Sequence, residues 1–143
     1  MKQQIKPIIS FSLFILGVVM MFVSVMPYKY PENSNMIFYI FYIPFFIGLA
    51  FAILGIVLFG LFHQSLGFKT INIYFIIGLV FVIFNLSVFA LYIGVLHGYA
   101  LFVSNFLYAF LPVVDIAFMT TLILGRNKAK KNSKDKIPES DNI

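Results

Sequence analysis

Residues 71–124 read INIYFIIGLVFVIFNLSVFALYIGVLHGYALFVSNFLYAFLPVVDIAFMTTLIL, an apolar run broken clearly only at His97-Gly98 and carrying a single acid, Asp115. About 54 residues of helix at 1.5 Å each would measure ~80 Å, whereas roughly 20 residues cross a ~30 Å hydrocarbon core. The stretch therefore has to turn, and the polar and glycine pair at 97–98 marks a tight helical hairpin between two spans.

Working outward, residues 8–26 and 36–62 form two more apolar runs of spanning length. Pro27-Tyr28-Lys29-Tyr30-Pro31-Glu32-Asn33 separates the first pair, and His63-Gln64-Ser65-Leu66-Gly67-Phe68-Lys69 separates the second run from the third. With 62% hydrophobic and 10% charged residues among 143, the chain has too little polar surface to cover a water-soluble globule. These features predict an all-α, four-helix transmembrane bundle over residues 1–125, with spans at 8–26, 36–62, 71–96 and 99–124. Lys2 and Lys6 precede the first run in the manner of a secretory signal, but its 19 residues exceed the usual ~7–15 of a signal core. A retained helix is expected there.

Lysine and arginine counts orient the spans. Lys2, Lys6, Lys69, Arg126, Lys128, Lys130, Lys131, Lys134 and Lys136 fall on one side and only Lys29 on the other, which predicts a cell-membrane protein with both termini cytoplasmic. Tyr28, Tyr30, Tyr39, Tyr42, Tyr92 and Tyr99 would then form an interfacial belt at the outer face. Beyond residue 125 the composition turns basic, and residues 126–143 are expected to be a polar, disordered cytoplasmic tail. Arg126, Lys128, Lys130 and Lys131 would meet anionic lipid headgroups there, each gaining about 1 kcal/mol. No aromatic residue is interleaved among these charges to stack on bases, so no nucleic-acid partner is expected.

Lipid gives helices no hydrophobic reason to associate, so small residues and interhelical polar pairs must hold a bundle together. Ser10, Gly17 and Ser24 recur at seven-residue spacing in the first span, and Gly48, Ala52 and Gly55 make a small-residue face in the second, aligned with Pro44. These six are read as helix-packing positions. Pro44 and Pro112 free the carbonyls of Ile40 and Tyr108, which would kink or loosen their helices. The third span carries Tyr74, Gly78, Phe81, Asn85 and Tyr92 on one stripe, and the fourth carries Leu101, Asn105, Tyr108, Pro112, Asp115 and Met119. Phenylalanine, at 19 residues, suits lipid-facing and interhelical surface alike and selects neither.

A carboxylate in mid-membrane costs several kcal/mol unless it is protonated, paired or hydrated, and intramembrane acids lean toward function. A turn near Gly98 puts Asn85 about one helical turn from the level of Asp115 and Tyr92 beside Asn105, so both pairs are expected to hydrogen-bond across the hairpin. Asp115, Asn85, Asn105 and Tyr108 make up the candidate intramembrane polar site. Its carboxyl serves either as a neutral hydrogen-bond partner or as a proton or cation site.

Catalytic constellations are missing from the sequence. There is no cysteine, which excludes thiolate nucleophiles, disulfide exchange and cysteine-ligated zinc or iron–sulfur groups. No span supplies a second carboxylate for a two-aspartate protease, and neither Ser87 nor Ser104 has a histidine at its depth. No phosphate-binding glycine loop or paired-histidine zinc motif is present. His63 and His97 fall at opposite faces of the bilayer, too far apart to ligate one haem. No cofactor or metal is expected. The leading expectation is a non-catalytic subunit packing in the bilayer with itself or with other membrane subunits. The alternative is a small ion- or proton-coupled transporter or channel built on Asp115. A subunit contacting quinone in a respiratory complex is the third class.

Overall fold

A computed structural model of the chain describes residues 2–25, 42–96 and 110–136, with side chains for 5–24, 42–91 and 110–136. The described residues form helices α1 (Lys2–Val25), α2 (Ile43–Phe62), α3 (Phe68–Leu96) and α4 (Phe110–Asp135). A short 3₁₀ turn (His63–Ser65) joins α2 to α3, closed by the Leu66 amide donating to the His63 carbonyl at 3.0 Å. All four helices are long and apolar enough to cross a membrane, the layout of a multi-pass membrane protein.

The helices run up and down alternately. Gly17 lies against Gly48 and Ala52, while Gly55 lies against Ser10 and Phe14, so α1 and α2 are antiparallel and touch backbone to backbone. A Cβ on Gly48 would stand 2.7 Å from the Gly17 carbonyl oxygen, a spacing that only glycine allows. Ser10 and Ser24 are buried on the same helix face as Gly17. Their hydroxyls donate to the Lys6 and Met21 carbonyls of their own helix at 2.8 Å, which removes the cost of burying them.

α3 and α4 are also antiparallel, with Gly78 against Leu122 and Phe118, and Asn85 against Asp115. The Asn85–Asp115 and Gly78–Leu122 pairs both centre on residue 100, beyond Gly98. That offset brings Asn85 level with Asp115, where a hairpin at Gly98 would leave it a turn away. Residues 97–109, where the hairpin at Gly98 is expected, lie outside the described residues, as do Lys29 and all the expected belt tyrosines except Tyr42 and Tyr92. Tyr92 lies in α3, but its side chain is not described.

Aromatic side chains from all four helices fill the centre. Phe14 of α1 stacks on Phe118 of α4 with centroids 3.8 Å apart and planes at 13°. Phe11 lies 6.2 Å from Phe59, 5.3 Å from Tyr74 and 5.5 Å from Phe118, and Phe14 meets Phe81 at 6.0 Å. In lipid such contacts matter through close packing and ring electrostatics, worth roughly 0.5–1.5 kcal/mol per pair beyond area burial. The outer surface is aliphatic and aromatic, most plainly on α3, where Val80 is 62% exposed, Phe84 64% and Leu91 67%.

Two local expectations are corrected. First, residues 126–135 continue α4 as helix, where a disordered tail was expected from Arg126. Alanine, lysine and arginine propagate helix well, and no glycine or proline intervenes before Pro138, which disfavours helix in the residue preceding it. Residues 137–143 lie outside the described range. Pro44 and Pro112 lie close to where the described parts of α2 and α4 begin, and the carbonyls they would free, on Ile40 and Tyr108, lie outside the described residues. Second, the inward face of α4 is Leu111, Val114, Asp115, Phe118, Leu122 and Gly125, with Pro112 and Met119 at its margin. The packing of Phe118 against three other aromatic rings accounts for that rotation.

Candidate functional site

Asp115 is 1% exposed and Asn85 4% exposed. The Asn85 amide Nδ2 donates to Asp115 Oδ1 at 3.3 Å, joining α3 to α4 between residues thirty apart in sequence. Both positions follow from helical spacing. Asn85 shares its face with Ile71, Gly78 and Val82, and Asp115 shares its own with Leu111, Phe118 and Leu122, all of them buried. The polar pair is thus embedded in the apolar seam between the two helices. A neutral amide facing a carboxyl satisfies part of its hydrogen-bonding capacity, and 3.3 Å is at the long end for an N–H···O bond. The pair sets the register of α3 against α4 more than it contributes energy.

Of the four residues expected in the polar site, Asp115 and Asn85 are brought together, while Asn105 and Tyr108 lie outside the described residues. So does the expected pairing of Tyr92 with Asn105, because the Tyr92 side chain is not described either.

A second polar region occupies the end of the bundle where α1 and α3 begin and α2 ends. The His63 ring donates from Nδ1 to the Phe59 carbonyl at 3.1 Å and stacks on the Phe59 ring. Gly125 makes room for it, since a Cβ there would stand 2.7 Å from His63 Cδ2. Lys6 Nζ sits 5.1 Å over the Phe62 ring, and the Arg126 guanidinium sits 4.8 Å over Phe75. Arg126 is half-buried with an enclosed Nε, whereas Lys128, Lys130 and Lys131 are exposed on α4. His97 lies outside the described residues.

Two features escaped the reading of the sequence. The aromatic centre has a signal in hindsight, because Phe11, Phe14, Val18 and Met21 follow the three- and four-residue spacing of one helix face and all are buried. The closeness of His63 to Gly125 carries no such signal, since it depends on how far α2 and α4 extend at the same end. No known family pattern, curated protein or solved structure matches this chain.

Proposed function

We propose that the protein is a non-catalytic integral membrane subunit that assembles in the bilayer with itself or with other membrane polypeptides. The observation that carries this reading is the engagement of Asp115. The acid that would be the natural centre of intramembrane chemistry is only 1% exposed and hydrogen-bonded to Asn85, in a seam otherwise made of packed apolar side chains. Polarity at that depth serves helix pairing. The large apolar side chains on the outside of α3, among them Val80, Ile83 and Phe84, offer surface for a neighbouring helix as well as for lipid. The nine-to-one distribution of basic residues supports both termini being cytoplasmic in the cell membrane. Arg126, Lys128, Lys130 and Lys131 then stand near anionic headgroups.

A second reading, a small proton- or cation-coupled transporter, draws on the same buried acid, because intramembrane carboxylates mark ion pathways more often than not. Asp115→Asn separates the two. The amide keeps an oxygen to accept from Asn85 and loses only the ability to titrate. Under the subunit reading the variant accumulates, assembles and supports its complex as the wild type does, and proteoliposomes of either protein show no acid-dependent flux. Flux through the wild type that the substitution abolishes would overturn the reading in favour of transport.

A further inference from the structure

Between the α2–α3 turn and the charged extension of α4 lies a cavity of about 380 Å³. It is at the small end of ligand pockets, which run roughly 300–1,000 Å³, and suits a compact polar group better than an acyl chain. Its walls differ in chemistry from the rest of the molecule. Lys128 and Asn132 line it from successive turns of α4 and Lys136 from the residue just after its end, and His63 and Gln64 face them from the turn. Asp135, the one acid of the α4 extension, is absent from the lining. The buried Leu66 and the half-buried Phe68 complete the wall nearest the apolar spans.

We propose that this cavity binds the phosphate of an anionic phospholipid headgroup. Two ammonium groups with no carboxylate among the described lining residues favour an anion, and the amides of Asn132 and Gln64 add neutral donors for its oxygens. The position identifies the source. The cavity opens where four apolar helices give way to a polar helical extension, the level at which headgroups lie and their acyl chains can run down the aliphatic surface. The helical continuation of α4 through Asp135 is what creates it, because a disordered segment from Arg126 would leave the turn without an opposite wall.

This site sharpens the proposed contact between the basic segment and anionic lipid. A charge-matched comparison keeps the two apart. Lys128 and Lys136 line the cavity, while Lys130 and Lys131 lie on α4 outside it, so the doubles Lys128→Gln/Lys136→Gln and Lys130→Gln/Lys131→Gln lose equal charge. Full-length protein in nanodiscs of phosphatidylcholine with a minor fraction of phosphatidylglycerol is analysed by native mass spectrometry for retained phosphatidylglycerol. The expected result is retention by the wild type and by the Lys130/Lys131 double, with at least about tenfold weaker retention by the Lys128/Lys136 double. Equal loss in both doubles overturns the pocket and leaves only diffuse surface attraction, and undiminished retention in both overturns any lysine-mediated contact. Inorganic phosphate titrated into lipid-free micelles tests the source. Phosphate binding sensitive to the Lys128/Lys136 substitutions, without enrichment of phosphatidylglycerol, overturns the lipid assignment in favour of a soluble anion.

Discussion

Adding one methyl group at Gly55 is expected to separate two helices. A Cβ there would stand 2.5 Å from the Phe14 amide nitrogen, 2.7 Å from the Ser10 carbonyl oxygen and 2.9 Å from the Phe14 Cα, against ordinary contact from 3.4 Å upward. All three obstructing atoms are backbone of α1, so no change of rotamer relieves them and α1 must retreat from α2 by roughly 1 Å. A gap of that size forfeits a quarter to a half of each dispersion contact along the interface. Overpacking of this kind costs about 1–3 kcal/mol, and the better helix propensity of alanine offsets at most about 1 kcal/mol. Gly55→Ala is therefore expected to destabilise the bundle by up to about 2 kcal/mol. Gly60 is the control, because a Cβ there meets only Thr121 Cγ2 at 3.6 Å. Gly60→Ala is expected to be neutral or slightly stabilising. Unfolding both variants in mixed micelles of increasing dodecyl sulfate content, followed by circular dichroism, measures the difference. Equal midpoints for the two variants would refute backbone-to-backbone packing of α1 on α2.

Further outcomes follow from the same structure. Asp115→Leu removes the acceptor of the Asn85 amide and is expected to cost about 0.6 kcal/mol and no more than about 1.7, the average and the maximum found for interhelical hydrogen bonds in membranes. A double-mutant cycle with Asn85→Leu that shows no coupling would deny the bond any role. Phe118→Ala empties the centre of the aromatic cluster. Because lipid is as apolar as the core, only the packing part of the usual ~3–5 kcal/mol is lost, giving about 1–3 kcal/mol in the same unfolding assay. A cost below that of an outward substitution such as Val80→Ala would show that the rings do not hold the helices. Single cysteines at Ser34 and Asn132, probed with a membrane-impermeant reagent on intact cells, should label only at Ser34. Labelling of both or of Asn132 alone would overturn the proposed topology.

The number of spanning helices was legible because apolar run length is set by bilayer thickness, a constraint that needs no tertiary information. Small-residue spacing was equally local. Gly17, Gly48, Ala52 and Gly55 recur with the helix period, and a helix interface without a hydrophobic driving force has few other means of close approach. Asn85 and Asp115 could be brought near one another by counting back from a turn, but their level depends on where that turn lies. What stayed hidden were choices among chemically equivalent residues. Nineteen phenylalanines give no local sign of which ones face inward, and Phe118 rather than Met119 is central because three rings from other helices meet it. The helical extension of α4 was misread because a basic composition resembles a solvated tail, although its lysines and alanine propagate helix. The cavity beside it depends on that extension, and so could not be anticipated.

The most direct test of the subunit reading is the mass of the particle released from native membranes. Tagged full-length protein, extracted with its surrounding lipid in a polymer nanodisc and weighed by native mass spectrometry after lipid ejection, is expected to carry further polypeptide mass beyond one 16.3 kDa chain, either as whole multiples or as a different membrane protein. A particle holding a single 16.3 kDa chain and only lipid would contradict the account.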